Sequence, residues 1–304
     1  MGEVESIRRS VETGLSGRMT LSVSTSNLQG MARAKDLIAV IGFSLAALLF
    51  FEIPEIIPNG DLNSSLAYLM IGATFFYATW AYKLPTLAYF RLPEISIPSM
   101  AGLGVVVLYS WMSISSDRTI TLPLWPTITG LIYIFAIGAG EELLSRGFAF
   151  GVLKKYGTAF AVVVSSILFG LMHINVYLGD SWDPVQAYWH CLTAAGFGAL
   201  AAVVMIACRS ILAPIVMHAL YDWTVVFVKP DTSAEASEPW VFDPLWQTIK
   251  DSFAEVAIDM FFVFFLLSVI WMARVRTFPK FFMPVALRLG FVEEVKSASS
   301  ISSR

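Results

Sequence analysis

Charge is what this 304-residue chain has least of: Asp, Glu, Lys and Arg make up 14% of it. Soluble domains carry roughly 25%. With 57% hydrophobic residues and a mean hydropathy of +0.69, that shortage excludes an ordinary water-soluble domain and points to a bilayer. Cysteine is nearly absent. Cys191 and Cys208 fall on one expected helix, roughly 25 Å apart, which excludes an intrachain disulfide; both read as small buried apolar residues. There are only three histidines, and the zinc-protease string His-Glu-x-x-His does not occur. No apolar segment holds Gly-x-Ser-Gly, and Gly-x-Gly-Asp is missing, so rhomboid-like serine and presenilin-like aspartyl chemistry lack their signatures. No internal repeat is evident, which counts against a transporter built from two related halves. Nothing in the charge distribution calls for nucleic acid, and none is expected as a partner.

Long apolar segments are what the chain does have. Eight are long enough to cross about 30 Å of hydrocarbon: 37–57, 64–82, 96–114, 128–153, 158–177, 185–207, 210–228 and 253–273. The first is interrupted by Glu52, Pro54 and Glu55. The expected fold is an all-α polytopic membrane bundle of about eight transmembrane helices with a polar site inside it. A polar segment, 1–35, precedes the transmembrane domain, 36–277, and is expected to be disordered. A cytoplasmic tail, 278–304, follows. With the N-terminus inside, the inward segments hold 16 Lys and Arg against 3 in the outward loops, so both termini are expected in the cytoplasm. Trp111, Trp125, Trp182, Trp240 and Trp246 fall near the expected interfaces, as aromatic belts do. The small residues of 194–202 suit close helix approach, the Phe-rich run 260–267 suits a lipid-facing surface, and Ser165 and Ser166 suit bonds between helices.

Within this apolar background, "IFAIGAGEELLSRGFAFGVLKKYG" places Glu141, Glu142 and Arg146 where water is excluded. An ionisable residue in a span is costly unless paired, so each is a functional-site candidate. Glu141, His173 and His218 lie roughly 20, 24 and 14 Å from the cytoplasmic ends of their helices, at similar depth on three separate helices. Glu142 and Arg146 are four residues apart, share a helix face and are read as a structural ion pair. Glu141 points about 100° away and is left for chemistry. Phe169 and His173 repeat the spacing, as do His218 and Asp222. A packing-only ion pair needs one carboxylate, not two. His190 has no comparable company and is read as a packing or interface residue.

"EELLSR", "FGLMH" and "HALYD", in that order, resemble the three motifs of the CPBP family. These are the CaaX-protease and bacteriocin-processing intramembrane proteases, which include the Ras-converting CaaX endoprotease and ABI-type proteins. The resemblance covers about residues 126–228. It implies that Glu141 is the general base that activates water, helped by His173, with His218 and Asp222 stabilising the oxyanion. An apolar setting makes a carboxylate a more competent base. An ionised Asp222, however, would repel an oxyanion. Asp222 is therefore protonated, orients His218, or binds a metal. Glu141, His173 and His218 could also hold zinc and leave a position for water, a metalloendopeptidase in place of a glutamate protease that needs no cofactor. The expected activity is hydrolysis of a peptide bond in a membrane-bound or lipidated substrate, such as removal of the C-terminal tripeptide of a prenylated CaaX protein. A membrane scaffold or immunity-type regulator, or an ion- or proton-coupled transporter using the same residues, is the alternative.

Overall fold

A bilayer core offers no water to bond backbone groups, so an apolar chain has to close its hydrogen bonds within helices. The computed structural model describes residues 25–48, 60–115, 122–174, 184–227 and 242–275, and among the described residues every regular element is helical. In chain order these are α1 (Thr25–Leu48), α2 (Gly60–Ala81), a 3-10 turn (Pro85–Tyr89), α3 (Ile97–Ile114), the long rod α4 (Leu124–Tyr156) and α5 (Thr158–Met172). They continue with α6 (Pro184–Cys208), α7 (Leu212–Tyr221), the short α8 (Trp223–Phe227) and α9 (Phe242–Val275). The chain divides into two units after Ile38. The described part of the first is the opening of α1; all that follows concerns the second.

Local chemistry sets several ends. Ser96 caps α3 by accepting the Ser99 N–H at 3.3 Å, and Pro98 stands in the first turn, where a missing donor costs nothing. Gly157, at φ 118°, passes α4 to α5 through a conformation that favours glycine.

Among the described residues, four helices are long and apolar enough to cross a membrane: Ile97–Ile114, Leu124–Tyr156, Val185–Cys208 and Phe253–Arg274. This is an integral membrane protein. The two segments with the histidine motifs are shorter than the expected spans. α5 has 15 residues and α7 has 10, roughly 22 and 15 Å, so both fall short of the hydrocarbon thickness. α5 starts at Thr158 as expected and ends at Met172, and Asp222 stops α7. The interruption at Glu52, Pro54 and Glu55, the tryptophans Trp182 and Trp240, and the tail 278–304 lie outside the described residues. Trp246 lies within α9. Trp111 and Trp125 are exposed near the ends of α3 and α4.

Apolar side chains gain little by leaving lipid, so close backbone approach has to hold such a bundle together. Two glycines do this for α4. A Cβ on Gly140 would lie 2.6 Å from the Tyr68 carbonyl oxygen of α2, and one on Gly138 would lie 2.8 Å from the Ile215 oxygen of α7. α4 is thus wedged between α2 and α7, while α6 packs on α5, α3 and α9. Leu200, Ala201 and Ala202 of the small-residue run are fully buried. The Phe-rich run of α9 faces outward at Phe261, Phe264 and Phe265, but Phe262, Val263 and Leu266 turn into the core. Ser165 and Ser166 do not bridge helices: both hydroxyls donate back to the Val162 carbonyl of their own helix.

Candidate active site

The run from Glu141 to Arg146 lies where α4 changes its winding. The rod is α-helical to Glu142, π-helical from Leu143 to Ala149, α-helical again over Phe150–Leu153 and 3-10 at Lys154–Tyr156. In the wide stretch the Phe150 N–H reaches the Ser145 carbonyl, five residues back. Such π segments widen one turn and are frequent at functional sites. The Ser145 hydroxyl donates to the Glu141 carbonyl at 2.6 Å, satisfying an acceptor next to the change of pitch.

Glu142 and Arg146 are fully buried and paired, with Arg146 Nη1 donating to Glu142 Oε1 at 3.0 Å. Arg146 Nη2 donates across to the Gly198 carbonyl of α6 at 2.8 Å, and the guanidinium lies 4.4 Å from the centre of the Phe169 ring. A Cβ at position 198 would stand 3.1 Å from Nη2 and 3.2 Å from the Ser166 Cα, so glycine leaves the guanidinium the closest approach to α6. One arginine therefore ties α4 to α5 and α6.

Glu142 does more than the structural pairing assigned to it from spacing. Its Oε1 also lies 2.9 Å from His218 Nδ1. A carboxylate accepts, so this nitrogen carries the hydrogen, and Nε2 is the nitrogen turned towards the other acids. Nε2 lies 3.8 Å from Glu141 Oε2 and 3.6 Å from Asp222 Oδ2. Ring orientation, one of the roles open to Asp222, is thus supplied by Glu142. His173 is set in the same way from another helix: its Nδ1 is 2.9 Å from the Phe169 carbonyl, which only accepts, leaving Nε2 to face Glu141 Oε2 at 3.9 Å. The Phe169 ring packs against both imidazoles, at 4.9 Å from His173 and 5.8 Å from His218. All seven residues picked out by spacing, Glu141, Glu142, Arg146, Phe169, His173, His218 and Asp222, therefore meet in one place.

Others join them without any local signal in the sequence. Tyr68 of α2 hydrogen-bonds Glu141, and Phe197 of α6 stands 5.0 Å from the His218 ring. His190, read as a packing residue, sits edge-on to His173 with centroids 5.1 Å apart, so every histidine of the chain is in or beside the site. Among the described residues, Glu141 Oε2 and Asp222 Oδ2 are buried without a hydrogen-bond partner. These are the two acid oxygens that face the histidine Nε2 atoms.

The three candidate zinc ligands are close but do not form a ligand set. Among the described residues no group of three His, Cys, Asp or Glu side chains is placed to hold a metal ion. Glu141 Oε2 stands 3.8–3.9 Å from each Nε2, wider than the roughly 3.3 Å separation that tetrahedral zinc bonds of about 2.0 Å imply.

Residues 123–224 match the family model described as Type II CAAX prenyl endopeptidase Rce1-like, a stretch that runs from the start of α4 past Asp222. Comparison with curated proteins finds no match. The matched stretch, about a third of the chain, contains Glu141, Glu142, Arg146, Phe169, His173, His218 and Asp222, and over it the chain is similar to the CaaX-type proteases that the family model describes.

Proposed function

We propose that the protein is an intramembrane endopeptidase in which Glu141 activates water for attack on a peptide bond near the end of a membrane-bound, prenylated CaaX substrate. The observation that carries this reading is the gap between Glu141 Oε2 and His173 Nε2. At 3.9 Å it is too wide for a direct hydrogen bond and fits one water donating to both. Such a water keeps a lone pair free for the substrate carbonyl carbon.

Glu141 takes a proton from the water as its oxygen bonds to the carbonyl carbon. The carbonyl electrons move onto oxygen, and the new anion faces His218 Nε2. To donate from Nε2 while Nδ1 donates to Glu142, His218 acts as the imidazolium. The last turn of α7 and the carboxylate of Glu142 supply the balancing negative charge. Asp222, in its acid form, is a second donor on the same side. When the C–N bond breaks, Glu141 returns its proton to the leaving nitrogen. Low water content strengthens each of these interactions and explains why the acids lie in the membrane: the scissile bond is held there by its lipid. Both termini are placed in the cytoplasm on the Lys and Arg bias, and the site opens to that side.

The test is mass spectrometry of products from a farnesylated CaaX peptide panel, using purified wild type and Glu141→Gln. Wild type releases an intact terminal tripeptide and Glu141→Gln, folded to the same extent, releases none. Cleavage by Glu141→Gln at the wild-type rate would remove Glu141 as base. Activity is expected to survive a strong chelator; complete loss, restored by added zinc, would replace the glutamate mechanism with a metal one.

A further inference from the structure

Outside the family-matched stretch, the apolar span Phe253–Arg274 of α9 carries two acids, Glu255 and Asp259, four residues apart on one face. Neither belongs to the site above, and Asp259 is fully buried. A carboxyl group there is costly unless it serves a bond that the bundle needs. Each accepts from a tyrosine on another helix. The Tyr109 hydroxyl of α3 donates to Asp259 Oδ1 at 2.9 Å, and the Tyr221 hydroxyl of α7 donates to Glu255 Oε1. The two tyrosine rings lie 5.7 Å apart. Gly196 of α6 faces Asp259, since a Cβ there would come within 2.9 Å of its Oδ2.

Tyr221 is where this arrangement touches the chemistry. It is the last residue of α7, and Asp222, immediately after it, closes the helix with its N–H on the His218 carbonyl at 2.9 Å. The Tyr221 ring stacks on Phe197 at 5.2 Å, and Phe197 in turn walls His218 at 5.0 Å. Moving the Tyr221 side chain therefore moves both the backbone that carries Asp222 and the ring that confines His218. α7 has 10 residues, so a side-chain tether at its end acts within one turn of both His218 and Asp222.

We propose that Glu255, through its hydrogen bond to Tyr221, is a positioning residue that sets His218 and Asp222 against Glu141, an inference that rests on the peptidase function proposed above. The Tyr109–Asp259 bond braces the same face of α9. Substrate does not touch Glu255; its effect is on the geometry of the oxyanion donors. Misplacing such groups lowers the rate while leaving substrate binding largely intact.

The test uses full-length protein in detergent. Tyr221→Phe keeps the ring stack and removes only the bond, while Glu255→Ala removes the acceptor. Both are expected to lower kcat on the farnesylated peptide by about tenfold or more, with KM within about twofold. Glu255→Gln, whose side-chain carbonyl still accepts from Tyr221, recovers most of the loss. A second readout needs no activity. With three histidines in the chain, ring 15N spectra resolve each imidazole, and Tyr221→Phe is expected to shift the His218 signals and leave those of His173 in place. Tyr221→Phe is the cleaner variant there, because the charge of Glu255 also acts on His190. If Glu255→Ala fails to fold, Tyr221→Phe decides. Unmoved His218 signals in Tyr221→Phe overturn the proposal, as does an unchanged kcat in a preparation where Glu141→Gln is inactive. If wild type cleaves nothing, or Glu141→Gln cleaves normally, the peptidase function fails by itself and the His218 spectra alone decide on positioning.

Discussion

Replacing Arg146 with alanine tests the most deeply buried charge in the bundle. Its side chain and that of Glu142 are both 0% exposed, so neither relies on solvent. Three contacts go at once: the 3.0 Å pair with Glu142, the 2.8 Å bond to the Gly198 carbonyl, and the cation–π contact with Phe169. Breaking a buried ion pair by removing one partner costs about 3–5 kcal/mol, chiefly because the other charge is stranded. The Gly198 carbonyl, left without its donor, adds about 1–3 kcal/mol, and the terms overlap instead of summing. About 4–6 kcal/mol is a large share of the roughly 5–15 kcal/mol that separates folded from unfolded domains. Folded yield and thermal midpoint in detergent should both fall sharply. If the stranded carboxylate is the cause, adding Glu142→Gln to Arg146→Ala should restore part of the loss, and a double-mutant cycle reads that coupling directly. Activity should not return with stability, because Glu142 also orients His218 at 2.9 Å. A cost below about 1 kcal/mol for Arg146→Ala, or no rescue by Glu142→Gln, would refute the reasoning.

Two further outcomes follow from α2. Gly140→Ala places a methyl 2.6 Å from the Tyr68 carbonyl oxygen, a clash with backbone that only helix displacement can relieve; a loss of about 1–3 kcal/mol in unfolding experiments is expected, together with reduced cleavage. Tyr68→Phe keeps the ring beside Tyr133 and removes the hydroxyl bonded to Glu141. Cleavage should slow by about ten- to a hundredfold at nearly unchanged thermal stability, as loss of one hydrogen bond to a charged group implies. A rate equal to wild type would show that Glu141 does not depend on that donor.

What the sequence determined by itself is what one helix can display. The shortage of charge announced a bilayer, and Glu142–Arg146, Phe169–His173 and His218–Asp222 were legible because residues four apart share a helix face whatever surrounds them. Three polar levels at similar depth foretold the meeting of α4, α5 and α7. Helix lengths were less legible. Apolar sequence continues past Met172, where α5 ends, and past Asp222, which stops α7, so both helices read as longer than they are.

Contacts between helices were decided only by the tertiary structure. Nothing in the order of residues shows that His218 Nδ1 takes Glu142 while Nε2 turns to Glu141, that the Gly198 carbonyl receives Arg146, or that Tyr68, His190 and Glu255 stand around the site. These depend on how closely two helices approach and at what angle, which Gly138, Gly140 and Gly198 set by the absence of a side chain. A helical period repeats along one chain segment and leaves a pattern in the sequence. The crossing of two segments leaves none, because any pair of apolar faces with small residues can meet in lipid, and only packing selects which pair does.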